Sequence, residues 1–259
     1  MTKNERRSIM KVRMALAVVA ASMAAATVAS AASLITGSKH DLSAATGGSG
    51  KTTQICVFCH TPHNPKEQIP LWNRSGGNTA SAFKLYTSST TLNMYGATKP
   101  SGFSSDSISL FCMSCHDGSP LGGGVHNLPS DAGGTLAADP RFSRGGTGVS
   151  GDAIVAGKTN FGTDLTRSHP VNIPYVPALD ANAGFRPVGG ANNNEVNVSG
   201  SGATHNLPLF KATINGSTVN AVECSSCHAV HGSVYVGHSV NFLRTTMKGS
   251  LLCLACHNK

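Results

Sequence analysis

Hydrophobic residues in this chain form one long run and then only short, scattered groups. The run extends from Met14 to Val28, follows Lys3, Arg6, Arg7, Lys11 and Arg13, and precedes Ala29-Ser30-Ala31. A basic start, a short apolar stretch and a small-residue site predict an export signal over residues 1–31, cleaved after Ala31. A membrane anchor would need about 20 apolar residues. A lipid anchor would need a cysteine at the cleavage point, whereas the first cysteine is Cys56. Further on, Val234 and Val236 alternate with small or polar residues and predict a short strand within 232–240. Residues 171–176 predict another, which Pro170, Pro174 and Pro177 confine to an edge or an extended segment. The strings Leu121-Gly122-Gly123-Gly124, Arg144-Gly145-Gly146 and Gly189-Gly190-Ala191-Asn192-Asn193-Asn194 favour turns.

Composition sharpens this sparse pattern. Residues 32–259 hold 17 Leu, 7 Ile, 15 Val and 9 Phe, close to the roughly one-fifth below which chains tend not to fold unaided. Something other than side chains must supply core volume. The eight cysteines fall in four CxxC pairs with none left over, and export implies an oxidising compartment where cysteines ordinarily become disulfides.

Each pair is followed directly by histidine: Cys56-Val57-Phe58-Cys59-His60, Cys112-Met113-Ser114-Cys115-His116, Cys224-Ser225-Ser226-Cys227-His228 and Cys253-Leu254-Ala255-Cys256-His257. CxxCH is the c-type haem attachment pattern. Two thiols three residues apart lie on one side of a helical turn and can form thioethers to the two vinyl groups of one porphyrin, with the next histidine held under the iron. Zinc sites and disulfides also use paired cysteines, but neither requires that histidine. Helical turns are therefore expected at these four sites and little else.

Seven histidines remain: His40, His63, His126, His169, His205, His231 and His238. Residues 32–259 contain only Met94, Met113 and Met247, so histidine–methionine ligation is poorly supplied and low-spin bis-histidine irons are expected. His63 follows His60 by three and His231 follows His228 by three. Each then lies near the proximal side of its own haem, so as a ligand it must serve a second haem, which brings two macrocycles together. The competing reading of each is a surface histidine.

The segments Lys39-His40-Asp41-Leu42-Ser43, Cys56 to His63, Pro70-Leu71-Trp72-Asn73, Cys115-His116-Asp117-Gly118, Ser168-His169-Pro170-Val171 and Val222 to His228 resemble the exported multihaem c-type cytochromes of metal-reducing bacteria. The tail from Cys224 to His257 is similar to the doubled-CxxCH module, and the count of four matches the tetrahaem members, some of which polymerise into extracellular cytochrome filaments. The resemblance implies four distal ligands, His40, His63, His169 and His231, with His205 in reserve. His126 and His205 share the string His-Asn-Leu-Pro, read as loop recurrence, and His238 reads as a surface or propionate-contacting residue.

The motifs are spaced by 51, 107 and 24 residues. This predicts one domain over 32–259, made of a haem pair at about 40–120, a Gly/Asn-rich insertion at about 121–200 and a second pair at about 201–259. The expected fold is mostly coil, with short helices at the CxxCH motifs and few short strands, wrapped around a haem chain. The expected function is electron transfer through four covalent c-type haems, not catalysis. Expected partners are other multihaem cytochromes, further copies of this chain in a polymer with inter-protomer haem contact, in which His40 is a candidate ligand to a neighbour's haem, and extracellular metal oxide as terminal acceptor. A soluble periplasmic shuttle is the alternative, and a reductase with one open iron a more remote one. The expected location is extracellular or cell-surface, otherwise periplasmic, with no membrane span after cleavage.

Charge first points elsewhere. The formal balance of +8 invites a nucleic-acid partner. Removing the signal takes five basic residues and Glu5 with it, leaving 15 basic against 11 acidic residues. Each ferric bis-histidine haem would add about −1 through its two propionates. The oxidised holoprotein is then near neutral and the nucleic-acid reading loses its support. The string Ala45 to Thr52 imitates a phosphate-binding loop, but Ala45 stands where the first glycine is required.

Overall fold

The computed structural model describes residues 35–43, 52–67, 70–88, 92, 102–132, 149–150, 153–154, 159–177, 184–189, 194–197, 206–232 and 242–258. The expected signal, His205, His238 and nearly all of the strand expected at 232–240 lie outside these residues. Among the described residues, no helix is long and apolar enough to cross a membrane.

Most of the described residues are coil. The helices sit at the attachment motifs: a 3-10 turn at Cys56–Phe58, an α-helix at Ser109–His116, and single α-turns at Cys224–Cys227 and Leu251–Leu254. Further 3-10 turns occur at Ala80–Ala82, Ser130–Ala132 and Lys248–Ser250. The strands are short: β1 (Lys84–Leu85), β2 (Val149–Ser150), β3 (Ala153–Ile154), β4 (Asp164–Leu165), β5 (Ile173–Pro174), β6 (Val188–Gly189), β7 (Glu195–Asn197), β8 (Asn206–Pro208), β9 (Phe210–Ile214) and β10 (Ser217–Val222). They pair as β1-β4, β2-β3, β6-β7-β8 and β5-β10-β9. The proline-flanked β5 is an edge strand, as its sequence requires.

Two departures from the sequence reading have physical causes. Besides the expected β5, the segment of about 121–200 contributes β2–β4, β6 and β7, because its few branched residues, among them Val188 and Val196, still find strand partners on which to bury themselves. The longest hairpin, β9–β10, turns at Asn215-Gly216, where both residues have positive φ, 50° and 78°. Asn-Gly is the residue pair that a tight two-residue hairpin turn favours. Its buried face, Ala212, Ile214 and Ala221, forms a small cluster of its own.

Apolar burial is divided among several patches, and most of them include an attachment turn. Phe58, Leu121 and Val125 pack with Cys59 and Cys115. Met113 packs with Phe83, Leu85, Phe103 and Leu165. Leu92, Ile173, Tyr175, Val196, Leu209 and Val222 pack against Cys256, and Leu207 against Ala255. Among the described residues, apolar burial thus lies mainly in patches around the cysteine turns.

The β9–β10 turn yields a test. At Gly216 an added Cβ meets nothing within 4 Å, so Gly216→Ala should cost only backbone strain, about 1 kcal/mol, read as a lowered midpoint in denaturant unfolding.

Candidate haem-binding sites

The local chain around the first motif shows how an attachment turn is built. The amides of Cys59 and His60 both donate to the Cys56 carbonyl, at 3.1 and 2.8 Å, closing the turn that sets both thiols on one side. Asn73, fully buried, donates from Nδ2 to the Val57 carbonyl at 2.7 Å, and its own amide donates to the Cys59 carbonyl at 2.8 Å. A cavity of about 380 Å³ opens beside this turn, lined by residues including Cys56, His60, Thr61 and Leu128. The corresponding turns at Cys224 and Cys253 are closed by His228 and His257 amides donating to the Cys224 and Cys253 carbonyls.

The second and third motifs are tied together through Glu223, which is 1% exposed. Its carboxylate accepts from Ser107 Oγ at 2.8 Å and from Ser109 Oγ, residues that lead into and open the Ser109–His116 helix. The Asn172 amide, in the orientation that satisfies both its polar atoms, donates to Glu223 Oε1 at 3.1 Å. Glu223 also caps the Cys224–Cys227 turn, and the Cys224 amide donates to Ser109 Oγ at 3.0 Å. Burial raises the Glu223 carboxyl above its ordinary range, against the lowering effect of the serine hydroxyls.

None of the eight cysteines is joined in a disulfide. Burial pushes Cys59 and Cys256 up to about 12 and Cys227 up to about 11. A hydrogen bond between the Cys112 and Cys224 thiols, together with burial, pushes Cys112 up as well. Burial at Cys59, Cys227 and Cys256 thus opposes the thiolate that zinc requires, whereas the same hydrogen bond lowers Cys224. Among the described residues, no group of three or more His, Cys, Asp or Glu side chains could hold a metal ion.

Six of the described histidines are arranged in three pairs. His40 and His116 have ring centroids 6.1 Å apart at 68°, His60 and His231 6.0 Å apart at 31°, and His169 and His257 6.4 Å apart at 79°. A metal–imidazole bond of about 2 Å, plus about 1 Å from nitrogen to ring centre, places two imidazoles on opposite sides of one ion at about 6 Å between centroids. Each pair joins a motif histidine to one of the candidate distal ligands, so the residues present fit an iron held between two imidazoles. His60, His116 and His169 also have Nδ1 within 2.7–2.9 Å of the backbone carbonyls of Pro70, Thr159 and Pro170. Since a carbonyl only accepts, Nδ1 carries the proton and Nε2 keeps the lone pair that a metal needs.

Each distal candidate is positioned by its own segment. Asp41, 1% exposed, accepts from the Gly37 amide at 2.9 Å and from Ser43 Oγ at 2.6 Å, folding Lys39 to Ser43 into a turn that presents His40. The His40 ring then stacks on Phe242, centroids 4.5 Å apart. Burial, followed by His116, His228 and His231, lowers His40 to about 4, so it is a neutral donor at ordinary pH. His40 thus lies beside a motif histidine of its own chain. Burial and His60 lower His231 in the same sense. His169 is followed by Asn172, a left-handed buried residue whose amide donates to the Val222 carbonyl at 2.7 Å.

His63 is different. Its ring is exposed, and among the described residues it meets no histidine ring; its carbonyl accepts from Thr61 Oγ1 at 3.0 Å and Asn127 Nδ2 at 3.0 Å. His126 is exposed on the neighbouring loop. The sequence reading missed Asn73 as a buried anchor, although Asn73 stands in one of the recognised strings. Glu223 likewise stands in a recognised string, directly before Cys224, without having been read as an anchor, and Arg74, 15 residues beyond Cys59, carried no signal of its own.

Residues 217–259 match the family described as the doubled CXXCH motif. No curated protein matches the chain. The match supports, at a coarse level, a multihaem c-type cytochrome that binds haem covalently and transfers electrons.

Two outcomes follow from this geometry. Glu223→Ala would strand the buried hydroxyls of Ser107 and Ser109 and should cost about 3 kcal/mol in unfolding free energy. His40 has a lower proton affinity folded than unfolded, so its contribution is complete above its ordinary value of 6.5. Stability should then fall as the pH drops below about 6.5, in unfolding midpoints measured down to about pH 4.

Proposed function

We propose that this chain conducts single electrons through four covalently attached, low-spin, bis-histidine c-type haems, one at each CxxCH site. The carrying observation is that three motif histidines each face a second histidine at a separation that admits one iron. Cys56 and Cys59, Cys112 and Cys115, Cys224 and Cys227, and Cys253 and Cys256 are the thioether residues. His60, His116 and His257 are the proximal ligands opposite His231, His40 and His169. For His228 the offset repeated in CHTPH and CHAVH assigns His63, the reciprocal of the His60–His231 pair. When bound, haem supplies reversible one-electron chemistry at iron. The chain holds the sites in series: Cys59 lies near Cys115, the thiols of Cys112 and Cys224 are hydrogen-bonded, and Cys227 lies near Cys253.

Two imidazoles per iron leave no position for a substrate, which favours electron transfer over a reductase. The extended reading is extracellular conduction as a polymerising filament subunit, delivering electrons from other multihaem cytochromes to an acceptor outside the cell. It is supported by the resemblance and by a near-neutral oxidised charge that lets copies approach without strong repulsion. A soluble periplasmic shuttle would carry the same sites without polymerising.

The exported holoprotein should carry four haems per chain, and its absorption spectrum should not change on adding carbon monoxide to the reduced form or cyanide to the oxidised form. A spectrum that shifts with either ligand would establish an open iron and support the reductase. His231→Ala and His63→Ala should each convert one haem to high spin; an unchanged spectrum would remove that residue as a ligand. Cryo-electron microscopy of extracellular material should show filaments, whereas a monodisperse monomer would favour the shuttle.

A further inference from the structure

We propose that Arg74 is a positioning residue shared by the first two attachment turns, and that its buried charge raises the reduction potentials of the haems attached there. The proposal rests on the four-haem reading above. Arg74 is 2% exposed. Its Nη1 donates to the carbonyls of Phe58, at 3.4 Å, and Leu121, at 2.7 Å; its Nη2 donates to the carbonyls of Ser114, at 3.3 Å, and Pro120. Phe58 lies between Cys56 and Cys59, and Ser114 between Cys112 and Cys115. One planar fork therefore holds an inner carbonyl of both turns and fixes their separation. The third and fourth turns have single counterparts: Arg244 Nε donates to the Ser225 carbonyl at 2.7 Å, and Arg186 Nε to the Leu254 carbonyl.

The space for this guanidinium is built into the fold. A Cβ on Gly124 would come within 2.5 Å of Arg74 Nη2 and 2.7 Å of the Pro120 carbonyl oxygen, so a side chain at 124 is incompatible with the fork. The four acceptors are all carbonyls, which satisfy donors without neutralising charge, and Nε is buried with no hydrogen-bond partner. A cation desolvated in this way is costly unless negative charge arrives nearby. Reduction delivers it: a ferric haem core carries one more positive charge than a ferrous one, so a fixed cation between two such sites disfavours the ferric state of both. The sign is an upward shift in potential for the first and second haems, with the third and fourth less affected because Arg74 touches neither of their turns.

The test compares wild type, Arg74→Met and Arg74→Lys as exported holoprotein, with haem number read by mass and potentials by spectroscopic redox titration. Wild type with fewer than four haems would overturn the four-haem reading, independently of any variant. With four haems in each, Arg74→Met should move two of the four potentials downward and leave two in place. Arg74→Lys keeps the charge but cannot fork to both turns, so it should hold the potentials closer to wild type while lowering the thermal midpoint. Four unchanged potentials in Arg74→Met overturn the proposal. If Arg74→Met does not accumulate, Arg74→Lys decides: an unchanged thermal midpoint with unchanged potentials overturns the shared positioning role.

Discussion

The constraint on which the rest of this structure depends is the facing of two imidazoles across a gap sized for one metal ion. His40 with His116, His60 with His231, and His169 with His257 each join residues distant in sequence. The chain is poor in aliphatic side chains, and its apolar burial is broken into patches around the cysteine turns. Such patches hold a fold together only if something apolar and large spans them. On the proposed reading the porphyrins do so, and the paired histidines close the fold over them much as disulfides close small exported domains.

Around that frame the polypeptide does little beyond holding turns in place, and it does so with buried polar groups. Asn73 anchors the first turn, Arg74 joins the first to the second, and Glu223 joins the second to the third and to the segment carrying His169. These contacts are directional where apolar packing is not, so they specify separation as well as proximity. For a carrier of single electrons, separation and orientation of the sites are the function. The position of the basic residues also changes meaning: beyond any role as partners for propionates, Arg74, Arg186 and Arg244 serve the backbone of the attachment turns themselves.

The doubled CxxCH motif matched over residues 217–259 was legible in the sequence, because thioether chemistry fixes a local spacing that no tertiary contact needs to supply. The scarcity of regular structure was legible for the same compositional reason that made an external core necessary. The β9–β10 hairpin was marked by Asn215-Gly216 and overlooked beside stronger signals. Apart from the expected β5, the strands within 149–197 were hidden, since strands of two or three residues leave no period to detect. Pairing of histidines was only half visible: His231 could be assigned to a second site from its offset, but which site depends on long-range folding. Arg74 and Glu223 were out of reach, as the role of a single buried charge is set by the carbonyls and hydroxyls that surround it.

The most direct test of the account is an experimental structure of the exported holoprotein that resolves its irons. The account predicts one iron between His60 and His231, one between His116 and His40, and one between His257 and His169, each porphyrin bonded to the cysteines of the motif that supplies the proximal histidine. Any of these histidine pairs divided between two irons, or a CxxCH site whose cysteines are joined as a disulfide, would contradict it.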